Sequence, residues 1–192
     1  MRIIAGQYKG RKLLPPPRGS RTRPITGAVK KSLFSMLEPH LGGAVVADLY
    51  CGTGTLGLEA LSRGARVAYF AERDRAVVAR LRRNIAAVGA GERAVIWPGD
   101  VEAGLAGRLS ALGEPIDIAF IDPPYEHVRR WSWQRAEARI FAPLSGRLAA
   151  DGIVILRAQV GTEIPDQLAG LAKIRVKSYG GMILGLFRPR AK

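Results

Sequence analysis

The chain has 192 residues, of which 47% are hydrophobic, and its 30 basic and 16 acidic residues give a formal net charge of +14. This composition supports one domain of ordinary size and excludes a mainly disordered chain. No apolar run reaches the roughly 18 residues of a membrane-spanning helix, and the first ten residues are too polar for a secretory signal, so we expect a cytoplasmic protein. The single cysteine and the two histidines form no zinc-finger spacing, so we expect no metal.

Residues 1–24 alternate short apolar pieces with residues typical of turns. Residues 2–6 and 12–14 are predicted to pair as a small hairpin, and three consecutive prolines then stiffen the chain before a loop. We interpret this segment as a basic β arm outside the core. Residues 25–192 are then the main domain.

The main domain alternates helices with apolar strands, beginning with a helix that Thr26 or Gly27 would cap. The strands are expected at 44–50, 66–71, 94–98, 116–121 and 152–157, and the later helices at 55–63, 74–88, 101–112 and 133–149. Apolar strands separated by helices indicate a doubly wound parallel sheet covered on both faces. Strands 173–179 and 182–188 are joined by two glycines and should form an antiparallel hairpin. The predicted fold is a Rossmann-like α/β sheet, mostly parallel, that ends in this hairpin.

The basic residues are concentrated at the two ends of the chain. Residues 1–37 contain nine Lys or Arg and residues 167–192 contain six, without any acid, whereas residues 38–166 contain 15 basic and 16 acidic residues. A polyanion releases counterions when basic side chains neutralise its phosphates, so this pattern favours a nucleic-acid partner. One alternative is that the charge serves only solubility. Another is that it binds a membrane surface, which is less favoured because no basic segment has a continuous apolar helix face.

The first strand of the sheet leads into a glycine-rich turn. Gly52, Gly54 and Gly57 match G-x-G-x-x-G between a strand and a helix, which suggests a ligand containing adenosine. Asp48 lies four residues before Gly52, where its charge would repel the pyrophosphate of NAD but would complement the cationic groups of S-adenosylmethionine. The pattern therefore favours a methyltransferase over a nicotinamide-dependent oxidoreductase.

Two more acids follow the next two strands. Glu72 ends the second strand and could accept both ribose hydroxyls, and Asp100 follows the third and could reach the adenine amine, although each could also be a solvated loop acid. We expect S-adenosylmethionine as cofactor and S-adenosylhomocysteine as product. The residues predicted to bind the cofactor are Asp48, Tyr50, Cys51, Gly52, Gly54, Glu72, Asp100 and Val101.

The fourth strand ends in Asp122-Pro123-Pro124-Tyr125, the predicted catalytic residues. Two prolines stop the strand and make a stiff corner, from which the Asp122 carboxylate and the Pro123 carbonyl can accept the two N–H bonds of a planar amine. Tyr125 could stack on the base that carries this amine. Alone, the tetrapeptide could be a plain proline turn. Its position after the fourth strand favours transfer of a methyl group to an amine, driven mainly by positioning.

These motifs carry a family resemblance over nearly the whole chain. VVADLYCGTGTLGLEALSRGA, AER and FIDPPY resemble class I S-adenosylmethionine-dependent methyltransferases, and RIIAGQYKGRKL, TRPIT, KKSLF and KSYGG resemble the bacterial RsmD family. That resemblance implies methylation of a guanine N2 in 16S ribosomal RNA, free or in a small-subunit assembly intermediate. It also implies that Asp122 to Tyr125 hold the guanine and that the arm docks RNA. Nothing in the sequence suggests more than a monomer.

The segment 126–139 is rich in Arg and Trp. Arg129 and Arg130 could contact phosphate beside a flipped nucleotide, and Trp131 or Trp133 could stack on it or equally anchor the core. The residues predicted to bind RNA are Arg2, Lys9, Arg11, Lys12, Arg21, Arg23, Arg129 and Arg130.

The chain departs from the family pattern at a few positions, which are expected not to touch the chemistry. Gly27 and Ala28 stand where the family usually has an acid and an arginine, and Arg157 stands where it commonly has an acid. Cys51 is expected to line the pocket, with a pKa that a helix N-terminus could lower. The two histidines, His40 and His127, are expected at the surface.

Two other functions stay open from the sequence. A DNA adenine-N6 methyltransferase shares the acceptor chemistry, but no long insertion offers a target-recognition domain. A non-catalytic RNA-binding assembly factor shares the basic ends, but it would not require the acids of the glycine turn or the proline corner.

Overall fold

A computed structural model describes residues 1–17 and 25–190, and within these ranges eight strands form one sheet in the order β3-β2-β1-β4-β5-β8-β7-β6. The strands are β1 Val45–Leu49, β2 Val67–Glu72, β3 Ala94–Pro98, β4 Ile116–Ile121, β5 Leu148–Gln159, β6 Gln167–Leu168, β7 Leu171–Tyr179 and β8 Met182–Pro189. The α-helices are α1 Gly27–Leu37, α2 Thr55–Ser62, α3 Arg75–Val88, α4 Val101–Ser110, α5 Tyr125–Arg129, α6 Trp133–Ala136 and α7 Ala142–Ser145. No helix in the described ranges is long and apolar enough to cross a membrane.

The sheet has the predicted mixed topology. Strands β1 to β5 pair in parallel, whereas β8 runs antiparallel to both β5 and β7. All five residues of β1 are buried, as expected for a central strand with helices on both faces. Val46 faces a core formed with α1, α2 and α3, and Val45 and Ala47 face a second core formed with α4 and the segment 136–144. The predicted Rossmann-like fold with a terminal antiparallel hairpin is confirmed.

The helix predicted at 133–149 is wrong in its continuity and its end. The segment consists of α6, a π-helical turn at Glu137–Phe141 and α7, which ends at Ser145. Pro143 lacks the N–H that a continuous α-helix needs, and a π turn accommodates such an interruption. Strand β5 starts at Leu148, four residues before its predicted start. The short helix α5 directly after the proline corner was not predicted.

The N-terminal segment packs into the molecule instead of standing apart from it. Arg2 and Lys12 form an antiparallel bridge, as the predicted hairpin requires. The expectation that this segment lies outside the core is wrong, because Ile3, Tyr8 and Leu13 are buried in the same core as α1, α2 and α3. The division of the chain after residue 24 stays a prediction.

One buried carboxylate connects the N-terminal segment to two helices. The side chain of Glu59, on α2, is fully buried and accepts the backbone N–H groups of Ile4 at 2.9 Å and Ala5 at 3.1 Å. It also pairs with Lys30 of α1 at 2.8 Å and with Arg63 at 3.0 Å. Burial lowers the pKa of Lys30, and the charge of Glu59 opposes this effect. Glu59 therefore holds the arm in place and opposes the effect of burial on the pKa of Lys30.

We predict that Glu59→Gln lowers the free energy of unfolding by about 3–5 kcal/mol, because it leaves a buried cation without its counter-charge. Equilibrium urea denaturation measures this loss. Glu38→Gln is the matched control, since Glu38 pairs with the same Arg63 at 2.9 Å but is 61% exposed. The control should change stability by less than about 1 kcal/mol. Equal losses in the two variants would contradict the role given to Glu59.

Candidate active site

The carboxyl ends of β1, β2 and β4 meet at one edge of the sheet, because these strands are parallel neighbours. The strand order reverses between β1 and β4, and doubly wound sheets open a crevice at this position. Asp48 lies near the end of β1, Glu72 ends β2, and Asp122 directly follows β4. The fold thus brings together three acids that are far apart in the sequence.

The glycine turn is shaped by backbone conformation and by close packing. Gly52 and Gly54 have positive φ angles of 56° and 83°, which residues with a side chain rarely adopt. A Cβ atom on Gly54 would lie 2.4 Å from the side chain of Leu81, and one on Gly57 would lie 2.4 Å from the ring of Phe70. The turn therefore allows α2 to begin directly against β2.

The carboxylate of Asp48 is buried and only partly satisfied. Its Oδ2 accepts the N–H of Gly57 at 2.8 Å, whereas its Oδ1 has no hydrogen-bond partner among the described residues. Burial raises the pKa of Asp48 to about 8; the Gly57 N–H opposes this shift, and the charges of Asp122 and Glu72 add to it. A buried carboxyl oxygen without a donor is suited to a ligand that carries a cationic N–H group or another positive charge, which would favour the ionised form of Asp48.

Glu72 organises the loops on either side of it. Its Oε2 accepts the N–H of Gly52 at 3.1 Å, and its Oε1 accepts those of Arg73 at 2.8 Å and Asp74 at 2.9 Å. A carboxylate has about four acceptor positions, so capacity for a hydroxyl remains. This geometry is compatible with one of the two predicted contacts to ribose hydroxyls.

Asp100 has a structural role of its own. Its Oδ1 caps α4 by accepting the N–H of Ala103 at 3.2 Å, and its Oδ2 lies 3.5 Å from the guanidinium of Arg73. Val101, which follows it, is buried in the second core. Asp100 is exposed, and its predicted contact with adenine stays a prediction.

The proline corner places one acid against an arginine. Asp122 is 18% exposed, Pro123 is buried, and Pro124 and Tyr125 are half-buried at the start of α5. The carboxylate of Asp122 forms an ion pair with the guanidinium of Arg157. Burial raises the pKa of Asp122 to about 6, against the opposing effect of Arg157. Asp122 is therefore mainly ionised at neutral pH.

The expectation that Arg157 does not touch the proposed chemistry is wrong, because its side chain lies against the predicted catalytic residue Asp122. Arg157 is 5% exposed, contacts Asp122 through Nε, and lies over the ring of Tyr125 at 5.4 Å. The register pairs Ile121 of β4 with Leu156 of β5, so the residues that follow these two, Asp122 and Arg157, are neighbours. The strand order and this register were the signals that could have identified Arg157, and periodicity alone supplies neither.

A small cavity of about 40 Å³ joins the glycine turn to the proline corner. Its polar lining includes Asp48, Tyr50, Cys51, Asp122 and Arg157. Burial raises the pKa of Cys51 well above its usual value, and the nearby anions add to this effect, so the expected lowering is wrong. Cys51 is a neutral thiol that lines the cavity. The described residues contain no cluster of three or more His, Cys, Asp or Glu placed to hold a metal ion.

A second cavity, of about 360 Å³, lies beside Pro124. Here His127 Nε2 is 2.8 Å from Glu102 Oε1, and Arg135 Nε is 2.9 Å from Glu102 Oε2. The ring of His127 also lies 5.7 Å from that of Tyr50. His127 is thus half-buried and hydrogen-bonded, which corrects the expectation of a surface residue.

The aromatic segment after α5 packs mainly on itself and on the core. Trp131 meets the rings of Phe141 and Trp133 edge-on, at 6.5 Å and 5.8 Å. These contacts favour the interpretation of Trp131 as a core anchor. Arg129 and Arg130 are exposed next to it.

A groove of about 620 Å³ lies between the N-terminal segment and α1. Its described lining contains the exposed basic residues Arg2, Lys9 and Lys31 and no acid. The groove shares three lining residues with the small cavity, namely Met1, Ile25 and Thr55. Of the other residues predicted to bind RNA, Arg11 and Lys12 are exposed on the arm, and Arg21 and Arg23 lie outside the described ranges.

Comparisons with known proteins match the whole architecture. The family described as Conserved hypothetical protein 95 matches residues 1–188. Ribosomal RNA small subunit methyltransferase D of Escherichia coli K12 is 35% identical over 192 residues, covering 100% of this chain and 91% of the relative. YlbH of Bacillus subtilis, named as a proposed rRNA methyltransferase, is 31% identical and covers 99% of this chain and 100% of the relative. A solved Escherichia coli structure, yhhF, named as a proposed methyltransferase, has a TM-score of 0.80 at 34% identity and covers 100% and 99% of the two chains.

Proposed function

This chain belongs to the RsmD family of methyltransferases, and we propose that it transfers a methyl group from S-adenosylmethionine to the exocyclic N2 of a guanine in 16S ribosomal RNA. The observation that carries the proposal is the shared cavity of Asp48 and Asp122. One acid offers a buried oxygen to a cation, and the other, ionised beside an arginine, offers an acceptor to an amine.

The residues of the glycine turn fit the proposed cofactor. S-adenosylmethionine supplies an electrophilic methyl group on a sulfonium. The unpartnered Oδ1 of Asp48 suits the cationic part of such a ligand, and Glu72 retains acceptor capacity for a ribose hydroxyl. A Cβ atom on Gly52 would meet nothing within 4 Å, so this side of the turn is open for a ligand to approach.

The proline corner fits the proposed acceptor. An amine on a purine ring is a poor nucleophile, because its lone pair is delocalised into the ring. The Asp122 carboxylate and the Pro123 carbonyl would accept its two N–H bonds, and Tyr125 would stack on the base. The ionised Asp122 also stabilises the positive charge that develops on the attacked nitrogen. No separate strong base is required, since the methylated nitrogen loses its proton readily.

We predict that Asp122→Asn lowers the rate of methyl transfer by about 100-fold or more, because it removes charge stabilisation in the transition state. Its affinity for S-adenosylmethionine, measured by calorimetry, should change less than about threefold. Asp151→Asn is the control, because Asp151 is exposed and lines a different cavity. Near-normal methylation of ribosomal RNA by Asp122→Asn would overturn the proposed acceptor role.

The pKa of Asp48 predicts how cofactor affinity depends on pH. A cation binds the ionised carboxylate, and burial raises the pKa of Asp48 to about 8. Affinity for S-adenosylmethionine should therefore rise as pH increases from 6 towards 8 and level off above it, with release of a proton on binding below pH 8. Calorimetry in buffers of different ionisation enthalpy measures this proton. The isosteric Asp48→Asn variant should bind at least about tenfold more weakly and should lose this pH dependence. A flat affinity profile for the unaltered protein would contradict the assignment.

Ribosomal RNA is favoured as the substrate by the relatives' names and by the basic groove beside the small cavity. Mapping labelled methyl groups on 16S RNA from cells with and without the gene tests the proposed product. Methyl groups on DNA adenine would support the DNA alternative. The absence of any transferred methyl group would support the assembly-factor alternative.

The groove makes its own prediction about RNA binding. Replacing Lys9 and Lys31 together by Gln should weaken RNA binding and reduce the slope of log affinity against log salt by about 1–2, because each phosphate contact contributes about 0.7–0.9 to that slope. Arg66→Gln combined with Arg139→Gln removes the same charge from exposed positions outside the groove lining. Filter binding over a salt series compares the two variants. Equal slopes would place the RNA footprint elsewhere.

A further inference from the structure

Arg157 contacts both ends of the proline corner. Its Nε lies against Oδ1 of Asp122, and its guanidinium carbon is 5.4 Å from the centre of the Tyr125 ring. The side chain is nearly buried, at 5% exposure, and comes from β5, next to β4 in the sheet. One planar cation therefore restrains the carboxylate and the aromatic ring, the two side chains proposed to hold the acceptor base.

The positive charge of Arg157 also balances the acids of the small cavity. The described residues that line the small cavity include two acids, Asp48 and Asp122, and Arg157 is the one basic side chain among them. An arginine stays charged in proteins and offers a rigid fork to a carboxylate, which lysine and neutral side chains do not.

We infer that Arg157 is the positioning residue of the acceptor site, which holds Asp122 ionised and oriented and fixes the Tyr125 ring beside it. This inference rests on the proposed function, in which Asp122 accepts the amine of the base. Arg157 acts through these two side chains and not by reacting with either substrate.

The pH dependence follows from the groups that face Asp122. They are Arg157 from β5, Asp48 from β1, Tyr125 from the corner itself, and Tyr50 and Cys51 from the glycine turn. Only Arg157 opposes the effect of burial on the pKa of Asp122, which is raised to about 6. Without the guanidinium, burial would raise this pKa further, so activity would be lost at a higher pH as pH falls.

The test compares Arg157→Gln with Arg157→Lys at saturating S-adenosylmethionine, where the titration of Asp48 no longer limits the rate. In Arg157→Gln, the acid limb of kcat should move up by about one pH unit or more, and kcat at pH 7 should fall about fivefold or more, because about half of Asp122 is then protonated and the planar contact with the Tyr125 ring is also lost. In Arg157→Lys, the acid limb should stay within about 0.3 unit of that of the unaltered enzyme, since the charge remains. Its kcat on the pH plateau should still fall about threefold or more, because the planar contact with the Tyr125 ring is lost.

Two controls keep the outcome interpretable. Arg66→Gln removes one positive charge from a half-exposed site whose partner is Glu114, and it should leave the pH profile unchanged. Cofactor affinity, which should change less than about threefold in both Arg157 variants, reports whether the site is still folded.

An unchanged acid limb in Arg157→Gln, with Asp122→Asn inactive, would overturn the role of Arg157 alone. Full methylation by Asp122→Asn would overturn the proposed function itself.

Discussion

Two carboxylates held out of water at one edge of a parallel sheet are the constraint on which the rest of the site depends. Asp48 and Asp122 line the same small cavity, at the ends of neighbouring strands, and the charge of Asp122 adds to the effect of burial on the pKa of Asp48. A buried charge without a partner costs several kcal/mol, so each acid needs a proton, a cation or hydrogen bonds. Asp122 has the guanidinium of Arg157, whereas Asp48 has one backbone N–H and a pKa near 8. Asp122 is therefore already paired with a cation of the protein, whereas Asp48 can still bind a cation of a ligand.

Helix α2 connects this cavity to the basic groove. Its Gly57 donates to Asp48, and its Glu59 holds the N-terminal segment through the amides of Ile4 and Ala5. The arm that lines the groove is consequently anchored on the same rigid element that shapes the glycine turn. Because the groove and the cavity also share the lining residues Met1, Ile25 and Thr55, a ligand in one lies directly beside a ligand in the other. The arm is part of the framework of the site and not an appendage.

The sequence predicted what depends on periodicity and on the ends of strands. Apolar runs placed the parallel strands, and Asp48 and Asp122 were singled out at the ends of two of them, which pair as neighbours in the structure. It did not predict the burial of Ile3 and Leu13, because short apolar pieces among turn residues become core only through tertiary contacts. Arg157 was missed for a related reason, since its role appears only when the register of β4 with β5 is known.

The distribution of charge gives the proposed reaction its selectivity. The groove presents exposed cations and no described acid, so it attracts phosphate, whereas the cavity beside it has no net positive charge, because Asp122 offsets Arg157 and Asp48 is mostly protonated at neutral pH. Under the proposed function, the backbone of a nucleic acid stays in the groove, and only a base, which is uncharged and carries N–H donors, is favoured in the cavity. Arg157 does not reverse this preference, because the negative charge of Asp122 neutralises it in place. A chain with a net charge of +14 can thus bind a polyanion and still keep its acceptor site free of anions.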